Sequence, residues 1–352
     1  MEYTILRPDD MHIHLRQGDL LARCAPHAAR VFGRAIVMPN TIPPITTSLG
    51  LERYREEILG ATSGSGFAPL MTFKISESIT PDDVAALKAA GAVAGKYYPR
   101  GATTNSADGI GDHRAVYPVL RAMEQNGLVL CIHGEDPAAF SLDREAAFLP
   151  VLSEIVARFP TLRVVLEHVS SRAAIEVVAS MPERVAATIT VHHIFLTLDD
   201  VIGELLHPHH FCKPVAKRPE DRDAVREAAL SGGPRFFFGS DSAPHEQRAK
   251  ECADGCAGVY TAPVAMPLLA ELFEREFAPG AAAASAPGVA DDRPEWVSRL
   301  EDFTSRFGAR FYGIPLPEDR VYLKRSPWDV PGQIDGIVPF RAGSRLTWSL
   351  TA

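Results

Sequence analysis

The chain has 352 residues, of which 46% are hydrophobic and 23% are charged, values that are ordinary for a soluble globular protein. Its formal net charge of -8 argues against nucleic acid or an anionic membrane surface as the main partner, because both select for basic faces. No apolar run reaches the length of a membrane-spanning helix, and the N-terminus lacks the pattern of a signal peptide, so a cytoplasmic protein is expected.

Short apolar runs alternate with longer, helix-like stretches over the first 245 residues. The runs are YTILRPDDMHIHL, RAIVMPN, APLMTFKI, AVAGKYYP, LVLCIHGE, RVVLEHVS, VAATITV and RFFFGSD. Strands that alternate with helices predict a parallel sheet, and eight such strands fit a (β/α)8 TIM barrel. A doubly wound open sheet is the competing arrangement, but it usually has fewer strands, and no G-x-G-x-x-G motif follows the first run.

The pattern changes after residue 245. Residues 262–277 are typical of an amphipathic helix, and WVSRLEDFTSRFGARFYG predicts a second helix that stops at a glycine. Between them, the Ala/Gly/Pro-rich residues 279–294 predict an exposed, flexible insertion. No internal repeat and no second domain are visible, so we expect one metal-dependent hydrolase domain over residues 1–352.

Reactive side chains stand at the ends of most of the apolar runs. They are His12, His14, Asn40, Lys96, His133, His168 and Asp241. In a TIM barrel, active-site residues lie at the carboxyl ends of several strands, so we expect these side chains to converge. If the first strand continues past its histidines, His12, His14 and Arg16 share one of its faces, since residues i and i+2 point the same way.

The histidines and Asp241 of this set are suited to binding Zn²⁺ and related ions. Four imidazoles and one carboxylate are too many for a closed tetrahedral site and too few for two independent ones. A two-metal centre with bridging ligands that activates a hydroxide fits better. The ammonium group of Lys96 would repel both ions, so this lysine can bridge them only as a carbamate formed with CO₂.

Five motifs in this order resemble the amidohydrolase superfamily and, more narrowly, the short bacterial-type dihydroorotases. They are HIHLR, GKYYPRGATTNS, IHGE, LEHVS and GSDSAPH, and the resemblance runs over about residues 4–275. It implies a homodimeric barrel enzyme with a binuclear zinc centre and a carboxylated lysine. The reaction it implies is the reversible conversion of N-carbamoyl-L-aspartate to L-dihydroorotate in pyrimidine biosynthesis.

The resemblance also implies a role for each matched residue. The metal ligands are His12, His14, Lys96, His133, His168 and Asp241. The first two histidines and Asp241 would hold one zinc ion, the other two histidines would hold the second, and carboxylated Lys96 would bridge them. Asp241 would also be the general base and acid, taking a proton from the bridging water and delivering it to the amide nitrogen.

A second group of residues is implied to bind the substrate. These residues are His14, Arg16, Asn40, Thr103, Thr104, Lys213, His245 and Ala257. Arg16, Asn40 and His245 would hold the α-carboxylate, for which a guanidinium is a good bidentate partner. Backbone groups of Lys213 and Ala257 would contact the ring amide, and the two threonines lie on a loop that closes over the site in the family.

Three rival functions stay open. A hydantoinase or dihydropyrimidinase shares the metal ligands, but its substrates lack the α-carboxylate, and it usually carries a β-sandwich for which the residues before His12 leave no room. A mononuclear deaminase on the same barrel would not need Lys96. A catalytically inactive relative would have lost metal ligands, and none is lost here.

Other histidines and the cysteines receive no function. His192 and His193 are predicted to end the seventh strand with only one of them facing inward, and the resemblance gives neither a metal role. The five cysteines lack the spacing of a disulfide framework or zinc ribbon, so we expect all to be reduced and Cys131 to lie in the core.

Overall fold

The structure, a computed structural model, describes residues 1–278 and 293–351. Nearly all of the predicted insertion at 279–294 therefore lies outside the described residues. Within the described part of the chain, no helix is both long enough and apolar enough to cross a membrane.

Eight parallel strands form one sheet in chain order, which confirms the predicted TIM barrel. They are β2 (Asp9–Ile13), β3 (Arg34–Val37), β4 (Ala68–Lys74), β5 (Ala94–Tyr97), β6 (Val129–Ile132), β7 (Val164–Leu166), β8 (Val185–Ile189) and β9 (Phe236–Phe238). The first and last strands meet where Asp241 N donates to His12 O at 2.8 Å and His14 N donates to Ser242 O at 3.0 Å. Closure of the barrel thus brings two of the predicted metal-binding segments side by side.

Helices follow the strands and cover the outside of the barrel. They are α1 (Gly18–Val31), α2 (Ser48–Ala61), α3 (Pro81–Ala89), α4 (Tyr117–Gln125), α5 (Arg144–Arg158), α6 (Arg172–Ser180), α7 (Val191–Phe195), α8 (Asp199–Ile202), α9 (Pro219–Leu230), α10 (Gln247–Lys250), α11 (Ala265–Phe277), α12 (Glu295–Glu301) and α13 (Phe307–Tyr312). The helix predicted at 262–277 is α11. The second predicted helix is interrupted, since a π-helical turn at Asp302–Arg306 separates α12 from α13, which ends at Gly313 with φ 69°.

A small antiparallel sheet joins the two ends of the chain. Its strands are β1 (Glu2–Leu6), β10 (Arg320–Asp329) and β11 (Arg345–Thr351), in the order β1-β10-β11. The prediction of one continuous strand in YTILRPDDMHIHL is therefore wrong, because Pro8 separates β1 from β2 and cannot donate a backbone hydrogen bond. The sheet is fixed by aromatic packing, with the ring centroid of Trp296 5.4 Å from that of Tyr3 and 5.3 Å from that of Trp348.

The interior of the barrel is filled by buried apolar side chains from seven of the eight strands, and the partly buried Leu70 of β4 packs against them. Met11, Ile36, Met38, Ala94, Val129, Cys131, Val165, Ala186 and Phe237 form this cluster. Phe307 and Tyr312 of α13 pack against it, and Cys131 is buried as predicted. Because the barrel is solid, a ligand has to bind at its rim.

Candidate active site

The predicted site residues meet at the carboxyl end of the barrel. A cleft of about 370 Å³ opens there, and all but two of those residues line it. The two exceptions are Lys96, which is fully buried, and His245, which contacts Arg16. Side chains that are far apart in the sequence therefore share one site, as the strand-end rule predicts.

The backbone turns sharply at several of these residues. β2 ends at Ile13, so the prediction that His14 and Arg16 lie on a strand face is wrong, although both side chains reach the cleft. Arg16, His168 and Asp241 have φ angles of 63°, 42° and 41°. The left-handed region is uncommon for residues other than glycine, and such conformations cluster at functional sites.

Three ligand-type side chains form the first half of the site. The Nε2 atoms of His12 and His14 lie 3.4 Å apart, and Asp241 Oδ1 lies 3.4 Å from the first and 3.2 Å from the second. A tetrahedral zinc ion with bonds of about 2.0–2.1 Å separates its nitrogen ligands by about 3.3 Å. The triad therefore has the spacing of ligands around a single ion.

Two further histidines form the second half. His133 Nδ1 lies 3.2 Å from His168 Nε2, again the spacing of two ligands on one ion. The ring centroids of His12 and His168 are 5.0 Å apart, so the two halves are adjacent. His168 Nδ1 is buried and has no hydrogen-bond partner among the described residues.

In three of these four histidines, the ring nitrogen that faces away from the other ligands contacts the side-chain oxygen of a neighbouring residue. The pairs are His12 with Glu167 at 2.7 Å, His14 with Asn40 at 2.8 Å, and His133 with Glu135 at 2.7 Å. Such partners fix the ring orientation of a ligating histidine and raise its basicity. Sequence reasoning missed Glu135 and Glu167, although each stands within two residues of a predicted ligand in the motifs IHGE and LEHVS.

We expect Glu135→Gln to weaken metal binding about tenfold, because the amide keeps the shape of the side chain but removes the charge that supports His133. Competition with a chelator of known affinity measures this change. Glu227→Gln on α9, where the side chain is exposed, is the matched control and should leave metal affinity unchanged. Equal affinities in both variants would contradict the role of Glu135.

Burial and charge give these groups the protonation states that metal ligands need. Burial lowers the pKa of His14 to about 4 and also lowers the pKa values of His133 and His168. Burial alone would raise the pKa of Asp241, but its hydrogen bond with His14 and the charges of nearby histidines outweigh this and hold the pKa below its usual range. The site therefore offers neutral imidazoles and a carboxylate at neutral pH.

Lys96 lies at the inner end of this cluster in an unusual environment. Its side chain is fully buried, its Nζ has no hydrogen-bond partner among the described residues, and burial lowers its pKa. The centroid of the Tyr98 ring lies 5.4 Å from Nζ. A buried ammonium without an acceptor is costly, whereas a neutral amine can react with CO₂. The donor set thus fits a metal pair bridged by a carboxylated lysine.

A cationic group stands at one side of the cleft. Arg16 donates from Nε to Pro244 O at 2.9 Å, and its Nη2 lies 2.9 Å from His245 Nε2. The same His245 nitrogen lies 3.0 Å from Ala257 O. Because a guanidinium can only donate, His245 Nε2 must accept from Arg16 and cannot donate to Ala257 O. This carbonyl then has no hydrogen-bond donor among the described residues and can accept from a ligand.

A buried lysine ties together the two loops that carry the predicted backbone contacts. The Lys250 ammonium donates to the carbonyl oxygens of Phe211, Cys256 and Gly258. Phe211 lies two residues before Lys213, and Cys256 and Gly258 flank Ala257, so the ammonium holds both loops at the rim of the cleft. The sequence gives no sign of this contact, because a lysine in a four-residue helix is typical of a solvated surface.

The prediction that His192 and His193 end the seventh barrel strand is wrong. β8 stops at Ile189, and both histidines lie in the short helix α7 and are buried. His193 Nδ1 is 2.8 Å from Thr190 Oγ1, and its Nε2 is 2.9 Å from Pro214 O. With both nitrogens engaged, His193 has none free to bind a metal with its neighbour Cys212, 3.8 Å away.

Comparison with known proteins identifies relatives over the whole chain. Residues 9–315 match the model of the amidohydrolase family. A dihydroorotase from Teredinibacter turnerae is 44% identical over 98% of this chain and 97% of its own, and one from Stutzerimonas stutzeri is 45% identical over 99% and 97%. The crystal structure of a dihydroorotase from Saccharomyces cerevisiae in complex with 5-fluoroorotic acid superposes with a TM-score of 0.88, at 36% identity over 99% of this chain and 98% of that one.

Hydantoinases are more distant. The L-hydantoinase (dihydropyrimidinase) from Arthrobacter aurescens is 18% identical, with a TM-score of 0.78 over 99% of this chain and 83% of its own, a similarity that reflects the fold alone. The family match and the full-length relatives agree with the geometry of the cleft. The chain belongs to the amidohydrolase family and, within it, to the dihydroorotases.

Proposed function

We propose that this chain catalyses the reversible ring closure of N-carbamoyl-L-aspartate to L-dihydroorotate, using two zinc ions and a carbamate on Lys96. One observation carries the choice of substrate. The Arg16 guanidinium borders the cleft without a carboxylate partner among the described residues. An unpaired cation beside a cluster of metal ligands suits a substrate that carries its own carboxylate.

The substrate would be held from two sides. Its α-carboxylate would accept hydrogen bonds from Arg16, which binds carboxylates better than a lysine would. The free carbonyl of Ala257 would accept the ring N–H, and Thr103 and Thr104 line the cleft and can donate hydroxyl hydrogen bonds. The relative crystallised with 5-fluoroorotic acid, which is also a cyclic carboxylate, supports this choice of ligand.

Asp241 would carry the proton between water and the substrate nitrogen. Its low pKa makes it a carboxylate in the resting site, so it acts first as a base. In ring opening it would accept a proton from the attacking water and give it to the ring nitrogen as the C–N bond breaks. In ring closure the reacting carboxylate of the substrate would first take up one proton from solvent. Asp241 would then take a proton from the ureido nitrogen and return it to the departing hydroxyl, which leaves as water.

The metal ions would be held by the two ligand clusters and by carboxylated Lys96. When bound, they supply a Lewis acid for the reacting carbonyl and lower the pKa of water towards neutrality. The chain contributes the dry, oriented ligand set, in which Glu135 and Glu167 fix two of the imidazoles.

An assay in both directions, with and without chelator, tests the function. We expect turnover of N-carbamoyl-L-aspartate and of L-dihydroorotate, lost on chelation and restored by zinc. A hydantoinase is the alternative, since it shares the metal cluster. Hydrolysis of unsubstituted dihydrouracil without turnover of dihydroorotate would overturn the proposal in favour of that alternative.

Arg16→Met is expected to raise KM for L-dihydroorotate about 100-fold with a smaller change in kcat, because it removes a charged hydrogen-bond donor but keeps an apolar side chain of similar length. Steady-state kinetics measures the split. The matched control is Arg114→Met, whose side chain is exposed and pairs with Glu154 on the outside of the barrel. If KM stays within twofold of the wild-type value, Arg16 does not bind the carboxylate.

The homodimer implied by the resemblance remains a prediction. Light scattering coupled to gel filtration would give twice the chain mass for a dimer. A single chain mass at micromolar concentration would contradict it.

A further inference from the structure

One barrel strand ends in a charged side chain to which the proposed reaction gives no task. β4 ends at Lys74, which pairs in register with Lys96 on the adjacent strand β5. Only 1% of Lys74 is exposed. A lysine is almost never fully buried without a partner, so the burial of Lys74 at the carboxyl end of the barrel needs an explanation.

The partners of Lys74 come from a single segment. Its Nζ donates to Asn105 O at 3.0 Å and forms an ion pair with the carboxylate of Asp108. Within the described residues, these are its only side-chain hydrogen bonds. Asp108 itself is more than half exposed, and its hydrogen bond with Lys74 lowers its pKa. The loop thus supplies the counter-ion for an ammonium buried beneath it.

We call residues 101–109 the cover loop, because Thr103 and Thr104 extend from it into the cleft. The loop is ordered internally by Ser106, whose Oγ donates to Thr103 O at 2.6 Å and accepts from Thr103 N at 2.9 Å. Its compact shape alone does not fix its position over the barrel. That position depends on contacts with the strand ends.

Two strand-end residues make those contacts. On β3's side, Asn40 accepts from Asn105 Nδ2 at 3.0 Å through its carbonyl oxygen and donates to Thr104 O at 3.4 Å. On β4's side, Lys74 makes the two contacts described above. Among the described residues, no other side-chain hydrogen bond joins residues 103–108 to the rest of the chain.

We propose that Lys74 is a positioning residue, which fixes the cover loop over the active site through Asp108 and Asn105 and so places Thr103 and Thr104 against the substrate. This inference rests on the proposed function. If the loop moves away, the ammonium loses both its counter-ion and its carbonyl acceptor, which is unfavourable. The contacts of Lys74 with Asp108 and Asn105 therefore favour the conformation in which the loop covers the cleft.

A double-mutant cycle tests the proposal. The variants are Lys74→Met, Asp108→Asn and the double variant, in the full-length zinc-loaded enzyme. We expect each single change to lower kcat/KM for L-dihydroorotate about tenfold, mainly by raising KM, and the double variant to be no worse than Lys74→Met alone. The coupling shows that the two residues act through their contact, and the rise in KM with little change in kcat is the readout that a merely structural role would not produce.

Matched control variants distinguish a loss of loop positioning from a general loss of stability. Arg100 and Glu77 form an ion pair at the base of the cover loop, with side chains 58% and 46% exposed. The Arg100→Met and Glu77→Gln variants should stay within about twofold of the wild-type kcat/KM, as expected for an exposed pair. Lys74→Arg keeps the charge and should recover part of the activity lost in Lys74→Met.

Two results would overturn the inference. One is an unchanged KM in Asp108→Asn, which cannot be attributed to misfolding because this side chain is largely exposed. The other is a loss in the double variant equal to the product of the single losses. Failure of the proposed function would look different, since the wild-type enzyme itself would then not turn over dihydroorotate.

Discussion

Lys96→Ala is expected to lower kcat/KM for L-dihydroorotate by on the order of 1,000-fold or more and to lower the zinc content of the purified protein. The physical reason lies in where this side chain stands. It is fully buried, and its nitrogen has no hydrogen-bond partner among the described residues. It lies on β5, which pairs with β6, the strand that His133 directly follows. An alanine there removes the proposed bridge and leaves a cavity beside the ligands.

Chemical rescue makes this prediction specific. If the bridge is a carbamate, acetate or propionate can occupy the cavity and provide two oxygens in its place, so activity should return in part as the acid concentration rises. Lys88→Ala on α3, at an exposed position, is the matched control and should show neither loss nor rescue. Full activity of Lys96→Ala, or a loss of activity with full zinc content and no rescue, would contradict the proposed bridge.

The barrel and the clustering of the site residues could be predicted because both follow from local patterns. Eight apolar runs with helical stretches between them specify a parallel sheet, and the carboxyl ends of such strands lie at one rim. His133, His168 and Asp241 stand at or just after the ends of their runs, so their convergence needed no knowledge of long-range contacts. The order of the motifs then indicated the family.

The features that were missed depend on contacts between distant segments. The small sheet pairs β1 with β10, more than 300 residues later in the chain, and no local pattern specifies that pairing. Glu167 orients His12 across 155 residues. Lys74 stands at a strand end like the predicted ligands, but a lysine there is typical of a solvated surface until the cover loop is seen to bury it.

The backbone around His14 and Arg16 shows a different limit of prediction from sequence. An alternating pattern predicts a strand through His14 and Arg16, but β2 stops at Ile13 and Arg16 takes a left-handed conformation. Hydrogen bonds to the segment after β9, such as the one that His14 N donates to Ser242 O, hold this turn in place. Such strained conformations depend on tertiary structure, so sequence periodicity fails at the site itself.

Asp241→Asn is expected to reduce kcat/KM by about 10,000-fold in both directions, because the side chain can no longer carry a proton and also becomes a weaker metal ligand. The carboxylate lies 3.4 Å and 3.2 Å from the Nε2 atoms of His12 and His14, where it would complete the ligand set of one ion. Among the described residues, it is also the one carboxylate that lines the cleft and can accept the proton from water. Asparagine keeps the shape and can still offer an oxygen, but it cannot carry a proton from one atom to another.

The two roles of Asp241 can be separated by measuring metal content and turnover in the same samples. Zinc bound by Asp241→Asn should fall far less than its activity, since His12 and His14 remain and an amide oxygen is a weaker but usable ligand. Asp254→Asn, in an exposed part of the following loop, is the matched control and should match the wild type in both measurements. If activity and zinc content fall in proportion, Asp241 acts only as a ligand. If activity stays within tenfold of wild type at full zinc content, the proton is carried by another group.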